Sequence, residues 1–277
     1  LHDALKNAGY SSHPLEVYLV RLLFCLFADD TGIFEHDHFI KYILRRTSED
    51  GSDLALHIQK IFEVLNTPKN ERLKTLDEEL NQFPYINGGL FAEHIDTADF
   101  NQAMRENLIE CCRLDWSLIS PAIFGAMFQS VMNKEERHAL GAHYTSEENI
   151  LKLIHPLFLD ELWLRFEKAK KLGTKKARTD KLNALHDHIA SLKFLDPACG
   201  CGNFLVVAYR ELRLLELAII EELKKSDEQQ VLDVSELIKV NVSQFSGIEI
   251  EEFPSQIAQT AMWLTDHQMN RLIASRF

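Results

Sequence analysis

The 277-residue sequence has no apolar run approaching the ~20 residues that a membrane-spanning helix needs. Its first residues lack the basic, apolar and small-residue layout of a secretory signal. No membrane span or export signal is therefore expected. The five cysteines make no disulfide framework, because Cys111 and Cys112 adjoin and Cys199-x-Cys201 is not a C-x-x-C pair. A reduced, cytoplasmic protein is the plain expectation. The twelve histidines show no metal-ligand spacing. His36-x-His38 and His186-x-His188 read as ordinary helix or loop positions, and no metal is expected. Positive charge is short as well. A formal net charge of −12 argues against indiscriminate nucleic-acid binding by this stretch alone, although a basic groove can sit on an acidic protein. There is no G-x-G-x-x-G dinucleotide fingerprint, no phosphate-binding loop ending in Gly-Lys-Ser/Thr, no internal repeat and no low-complexity tract. The first residue is Leu1, not Met, so the stretch reads as an excised or processed part of a longer chain.

What is present is the composition of a globular protein, 46% hydrophobic and 26% charged, in a length that suits two domains. Residues 1–135 read as a helical domain. Leu15 to Ala28 is apolar nearly all round, as a core helix is, and Asp29-Asp30-Thr31-Gly32 ends it. Phe39, Ile40, Ile43 and Leu44 suit a second helix. Leu54 to Leu65 suits a third, stopped near Pro68. Pro84-Tyr85-Ile86-Asn87-Gly88-Gly89-Leu90-Phe91 reads as a surface turn pinned by Phe91. Leu108 to Cys112 is a further helix piece. Asp115 is placed to cap a helix running to Met132, with Ile119, Ile123, Phe124, Met127, Phe128 and Val131 on its buried side.

Residues 136–277 read differently. Asn133 to Leu140 is charged and expected to be exposed. Ser146 is placed as the N-cap of a helix through Leu159, with Glu147 and Glu148 in its first turn and Pro156 interrupting the pattern. Arg165 to Lys181 is rich in Lys and Arg. It reads as a solvated helix or linker, with a phosphate-contacting patch as the alternative. Leu192 to Leu195 is a strand, Phe204 to Leu223 a long helix, and Ser226 to Ser235 a polar connection. Val242 to Ile250 is a second strand, and a last helix begins at Pro254. This β-α-β-α order implies a parallel sheet with right-handed crossovers.

The chemistry is expected at the strand-to-helix turn Asp196-Pro197-Ala198-Cys199-Gly200-Cys201-Gly202-Asn203-Phe204. An acid at a strand tip, a rigid proline and two glycines leading into a helix bring backbone N–H groups against a nucleotide-like ligand. Gly247-Ile248-Glu249-Ile250 puts a second carboxylate at the end of the next strand, where it can accept ribose hydroxyls. Read blandly, Glu249 is a surface glutamate beside Glu251 and Glu252.

These residues carry a resemblance. The turn resembles motif I of the adenine-N6 DNA methyltransferases that use S-adenosylmethionine. Gly141-Ala142-His143-Tyr144-Thr145 resembles their motif X, placed before motif I as in the gamma-type order, and Gly247-Ile248-Glu249-Ile250 resembles motif II. With Pro84 to Phe91 and Trp263-Leu264-Thr265-Asp266-His267-Gln268, the wording is similar to that of the MmeI-like single-chain restriction-modification enzymes across essentially the whole sequence. The resemblance implies a helical domain followed by a partial Rossmann-like methyltransferase fold, an α + α/β arrangement. It implies a S-adenosylmethionine pocket in which Asp196 contacts the methionine amino group. Ala198, Cys199, Gly200 and Gly202 let the backbone approach, Tyr144 and Thr145 close over the methionine carboxylate, Glu249 holds the ribose hydroxyls and Ile250 packs on the adenine. Cys201 stands where a small Ser or Thr is common and reads as an apolar filler.

One departure bears on catalysis. The Asn-Pro-Pro-aromatic motif, which would hold the flipped-out adenine, is nowhere in the sequence. The stretch is therefore expected to hold cofactor-binding parts without catalytic residues. The implied partners are double-stranded DNA, an upstream nuclease and a downstream target-recognition domain of the same chain. Two other readings stay open: a non-catalytic helical connector or interaction module with a vestigial cofactor loop, and a methyltransferase acting on protein or RNA.

Overall fold

The computed structural model describes residues 1–10, 12–86, 89–96, 98–131, 145–226 and 237–276. The chain forms two compact units, Leu1–His143 and Tyr144–Phe277. Expectations for Asn133 to Leu140, for Gly141 to Tyr144 and for most of Ser226 to Ser235 fall outside the described residues.

The first unit holds α1 (His2–Asn7), α2 (Ser12–Asp30), α3 (His38–Arg46), α4 (Leu54–Asn66), α5 (Glu78–Gln82), α6 (Gln102–Cys112) and α7 (Ile123–Val131). The all-round apolar run predicts a core helix, and α2 is one: Val17, Val20, Leu23, Phe24, Phe27 and Ala28 are buried. Arg21 on the same helix is buried too, and it is fully occupied. Its Nε donates to the Leu90 carbonyl at 2.8 Å and its Nη2 to the Glu93 carbonyl at 2.7 Å. Its guanidinium lies 5.7 Å from the ring centres of both Phe62 and Phe91. The segment ending at Phe91 is thus drawn into the core by a cation and two rings, and Leu90 and Phe91 are buried. This is tighter than a surface turn.

The helix expected from Asp115 to Met132 is two pieces. Asp115 caps a single 3₁₀ turn, Trp116–Leu118, accepting from the Ser117 N–H. Pro121 then intervenes, and α7 begins after it, since proline favours a helix start over a helix interior. Phe124 is buried as expected, but Ile123 is exposed.

The second unit runs α8 (Glu147–Ile154), a π turn (His155–Leu159), α9 (Asp160–Lys170), α10 (Lys175–Ser191), β1 (Phe194–Asp196), α11 (Asn203–Ser226), β2 (Phe245–Gly247) and α12 (Glu252–Arg276). The helix expected to reach Leu159 changes pitch after Ile154. Pro156 has no N–H to contribute to the ladder, and one π turn absorbs the break before the helix resumes as α9. Ser146 does stand at the N-cap, but its side chain makes no cap bond. The basic segment becomes the end of α9, a turn at Gly173 and the start of α10, with Lys168, Lys171, Lys175, Lys176 and Lys181 exposed.

The two strands pair in parallel, Phe194 with Phe245, Leu195 with Ser246 and Asp196 with Gly247. The second strand is shorter than the expected Val242 to Ile250. Val242–Gln244 is a 3₁₀ turn, and pairing stops at Gly247. α11 is the hub. Val207 and Ala208 pack on Ile150, Ile154 and Leu159 of α8 and the π turn. On the near face of the sheet, Phe194 and Phe245 stack with centres 4.7 Å apart and planes 7° apart, and Tyr209 meets Phe245 edge-on. The opposite face carries Leu195, 64% exposed. No helix of the described residues is long and apolar enough to cross a membrane.

Candidate functional site

The turn between β1 and α11 is laced to the turn after β2. The Ile248 N–H donates to the Asp196 carbonyl at 2.9 Å, continuing the ladder one step past the strands, and the Cys199 N–H donates to the Ile248 carbonyl at 3.0 Å. The chain then reverses through Gly200 (φ 53°) and Gly202 (φ 79°), both in the left-handed region that L side chains avoid. The Gly202 N–H closes the turn on the Cys199 carbonyl at 2.8 Å, and the Gly202 carbonyl accepts the first helical bond, from Val206. The sequence demand for glycine here is therefore conformational.

Both acids grip this turn. Asp196 Oδ1 accepts from the Ala198 N–H at 3.1 Å. Glu249 Oε2 accepts from the Gly200 N–H at 2.9 Å, while its Oε1 accepts from Ile250 and Glu251 N–H groups at 2.8 and 3.0 Å. Two carboxylates with the positive end of α11 behind them make a site for an organic cation or a polyhydroxylated ligand. Their charge also reaches the loop thiols. Burial, with Asp196 and Glu249 adding to it, raises the Cys199 thiol, and burial with Glu249 and Cys199 pushes Cys201 up to about 12. Both sulfurs are thiols at neutral pH and poor nucleophiles, consistent with Cys201 as a filler.

Neighbouring residues set the shape. Gly247 needs to be glycine because a Cβ there would lie 2.6 Å from Cys199 Sγ. Gly247→Ala is expected to cost about 1–3 kcal/mol through overpacking. Cys199→Ala should return part of that, because the sulfur leaves and only the Cβ at 3.0 Å remains. Chemical denaturation of the two single variants and the double variant reads the coupling, and strictly additive losses would contradict the contact. Gly200, by contrast, faces open space, with no atom within 4 Å of a Cβ built on it.

The structure thus brings Asp196, Ala198, Cys199, Gly200, Gly202 and Glu249 into one loop, with Ile250 beside it and 94% exposed. Thr145 is half-buried just before α8, and no hydrogen bond joins it to the loop. Tyr144 lies outside the described residues. Three features escape the sequence reading. Asn203 follows the second glycine, and its Oδ1 is a buried acceptor with no partner. Arg210 joins α11 to α8 by donating to Glu147 at 2.7 Å. Asp266, within the quoted Trp263 to Gln268 stretch, accepts from Tyr209 and Arg213. Residue order gives no signal for these pairings, which span 53 to 63 positions.

Residues 13–91 match the family model for the MmeI helicase spacer domain, and residues 170–277 match that for the MmeI DNA-methyltransferase domain. A solved structure of the type IIL restriction-modification enzyme MmeI in complex with DNA is 62% identical, with a TM-score of 0.80, covering 100% of this chain and 36% of that one. The chain belongs to the MmeI family. Its MmeI-type wording is thereby accounted for, spacer stretch and glycine turn alike. DNA methyltransferase A of Bacillus subtilis (strain 168) is 42% identical over 274 residues, 98% of this chain and 30% of that protein. The MmeI-family chain thus spans about a third of the length of the relatives it matches.

Proposed function

We propose that this MmeI-family chain is the cofactor-binding portion of a S-adenosylmethionine-dependent DNA adenine-N6 methyltransferase belonging to a restriction-modification or phage-defence system. Residues 1–135 serve as its helical spacer, and residues 136–277 begin a Rossmann-like methyltransferase domain. The observation that carries the reading is the pair Asp196 and Glu249. They come from the ends of neighbouring parallel strands, and both hold N–H groups of one glycine turn. The residues suit the cofactor in three respects. The loop is open above Gly200, Asn203 Oδ1 is an acceptor awaiting a donor, and the acids match a ligand with an ammonium and two hydroxyls.

In this proposal Asp196 holds the methionine amino group, Tyr144 and Thr145 approach its carboxylate, Glu249 takes ribose, and Ile250 covers adenine. Ala198, Cys199, Gly200 and Gly202 keep side chains out of the way. S-adenosylmethionine supplies a methyl group activated as a sulfonium. The side chains that orient the target adenine are not among these residues, because the sequence contains no Asn-Pro-Pro. Double-stranded DNA, a nuclease part and a target-recognition part are the proposed partners in the whole protein.

Calorimetric titration of the full-length protein with S-adenosylmethionine tests the reading. Binding is expected, and Asp196→Ala should weaken it about 10–100-fold, the worth of a hydrogen bond to a charged group. A folded wild-type protein that takes up no cofactor would overturn it.

A further inference from the structure

We infer that Glu249 is a positioning residue for the glycine turn as well as a ligand group, and that it has room for only one ribose hydroxyl. This rests on the cofactor reading above and deepens it. The Gly200 N–H finds its hydrogen-bond partner in a side chain 49 positions away, at 2.9 Å. Gly200 sits in left-handed conformation with open space around its α-carbon, so nothing packs it in place. Cys199 before it is tied to Ile248, and Gly202 after it to Cys199. Between those anchors, the Glu249 carboxylate is what fixes the plane of the Gly200 peptide.

The same carboxylate is nearly saturated. An ionised carboxylate offers about four lone-pair sites. Three are taken by amide N–H groups, two on Oε1 and one on Oε2. One site on Oε2 remains. A ribose presenting two hydroxyls can therefore donate one to Glu249 while the loop keeps its present form. Holding the loop ready before the ligand arrives lowers the ordering cost of binding.

The test is a comparison of S-adenosylhomocysteine with its 2′,3′-dideoxy analogue, titrated by calorimetry into the full-length protein. If Glu249 acted through ribose alone, Glu249→Ala would not alter the affinity for the dideoxy compound. The expected result is a loss of about fivefold or more for that compound too. Glu249→Gln keeps a carbonyl acceptor for the Gly200 N–H, so it should hold the dideoxy compound near wild-type affinity while Glu249→Ala does not. Unchanged affinity of Glu249→Ala for the dideoxy compound, equal losses in both variants, or no binding of that compound to wild type would each overturn the inference and leave the cofactor reading standing. Failure of S-adenosylhomocysteine itself to bind wild type would remove that reading as well.

Discussion

Glu216→Ala is expected to cost the Tyr144–Phe277 unit about 3–5 kcal/mol, the penalty of breaking a buried charge pair from one side. Glu216 has no exposed side-chain surface, and Arg213 has 1%. One oxygen, Oε1, accepts from His186 Nε2 at 2.9 Å and from the N–H groups of Lys239 and Val240 at 2.7 and 2.8 Å. Oε2 lies 3.2 Å from Arg213 Nε. Arg213 in turn donates to Tyr209, Asp266 and Asn270. The carboxylate therefore joins α10, α11 and the chain leading into β2, while the guanidinium joins α11 to α12. Alanine leaves two backbone donors, an imidazole and part of a cation buried without their acceptor, and each such group is costly. Urea unfolding followed by the fluorescence of Trp163 and Trp263 reads the loss. Glu216→Gln, which keeps an acceptor, should lose less. A loss below about 1 kcal/mol for Glu216→Ala would mean that the network is wet or dispensable.

That network marks where sequence reading stops. Arg213 and Glu216 stand three apart on a helix, a spacing that reads as an ordinary solvated pair. Their burial follows from α10 and α12 closing over α11, which no local pattern announces. The helices themselves were legible because their signals are local: an apolar run for α2, Pro68 after α4, and a β-α-β-α order for the parallel pair. Misplacements came from proline and from strand length. Pro121 splits the helix expected from Asp115, and Pro156 is absorbed in a π turn. Pairing ends at Gly247 because the chain turns there to bring Ile248 and Glu249 across the glycine loop.

The candidate site divides in the same way. Gly200 and Gly202 were legible because left-handed turns demand glycine at fixed offsets from a strand end. Asp196 and Glu249 were legible as strand-tip acids, but their grip on backbone N–H groups was not, and neither was the unpartnered Asn203. Those depend on how the two turns meet, 49 residues apart in the case of Glu249.

Gly202→Ala combines both kinds of constraint. At φ 79° an added Cβ costs about 1–2 kcal/mol for the left-handed backbone alone. The Cβ would also stand 2.9 Å from the Cβ and 3.1 Å from the Cα of Ala258 on α12. Ala258 cannot rotate away, because a methyl group has no alternative rotamer and the Cα is backbone. Either α12 shifts or the turn opens, at about 1–3 kcal/mol more. The total is about 2–5 kcal/mol, and a turn that opens also moves the Cys199 carbonyl to which Gly202 is bonded. Cofactor affinity should therefore fall with stability. Adding Ala258→Gly separates the two constraints. It should relieve the packing part, leave the backbone part, and bring affinity back further than stability. If the double variant were no more stable than Gly202→Ala after allowing for the cost of a glycine inside α12, about 1 kcal/mol, the close approach of α12 to the glycine turn would not be what restricts this position.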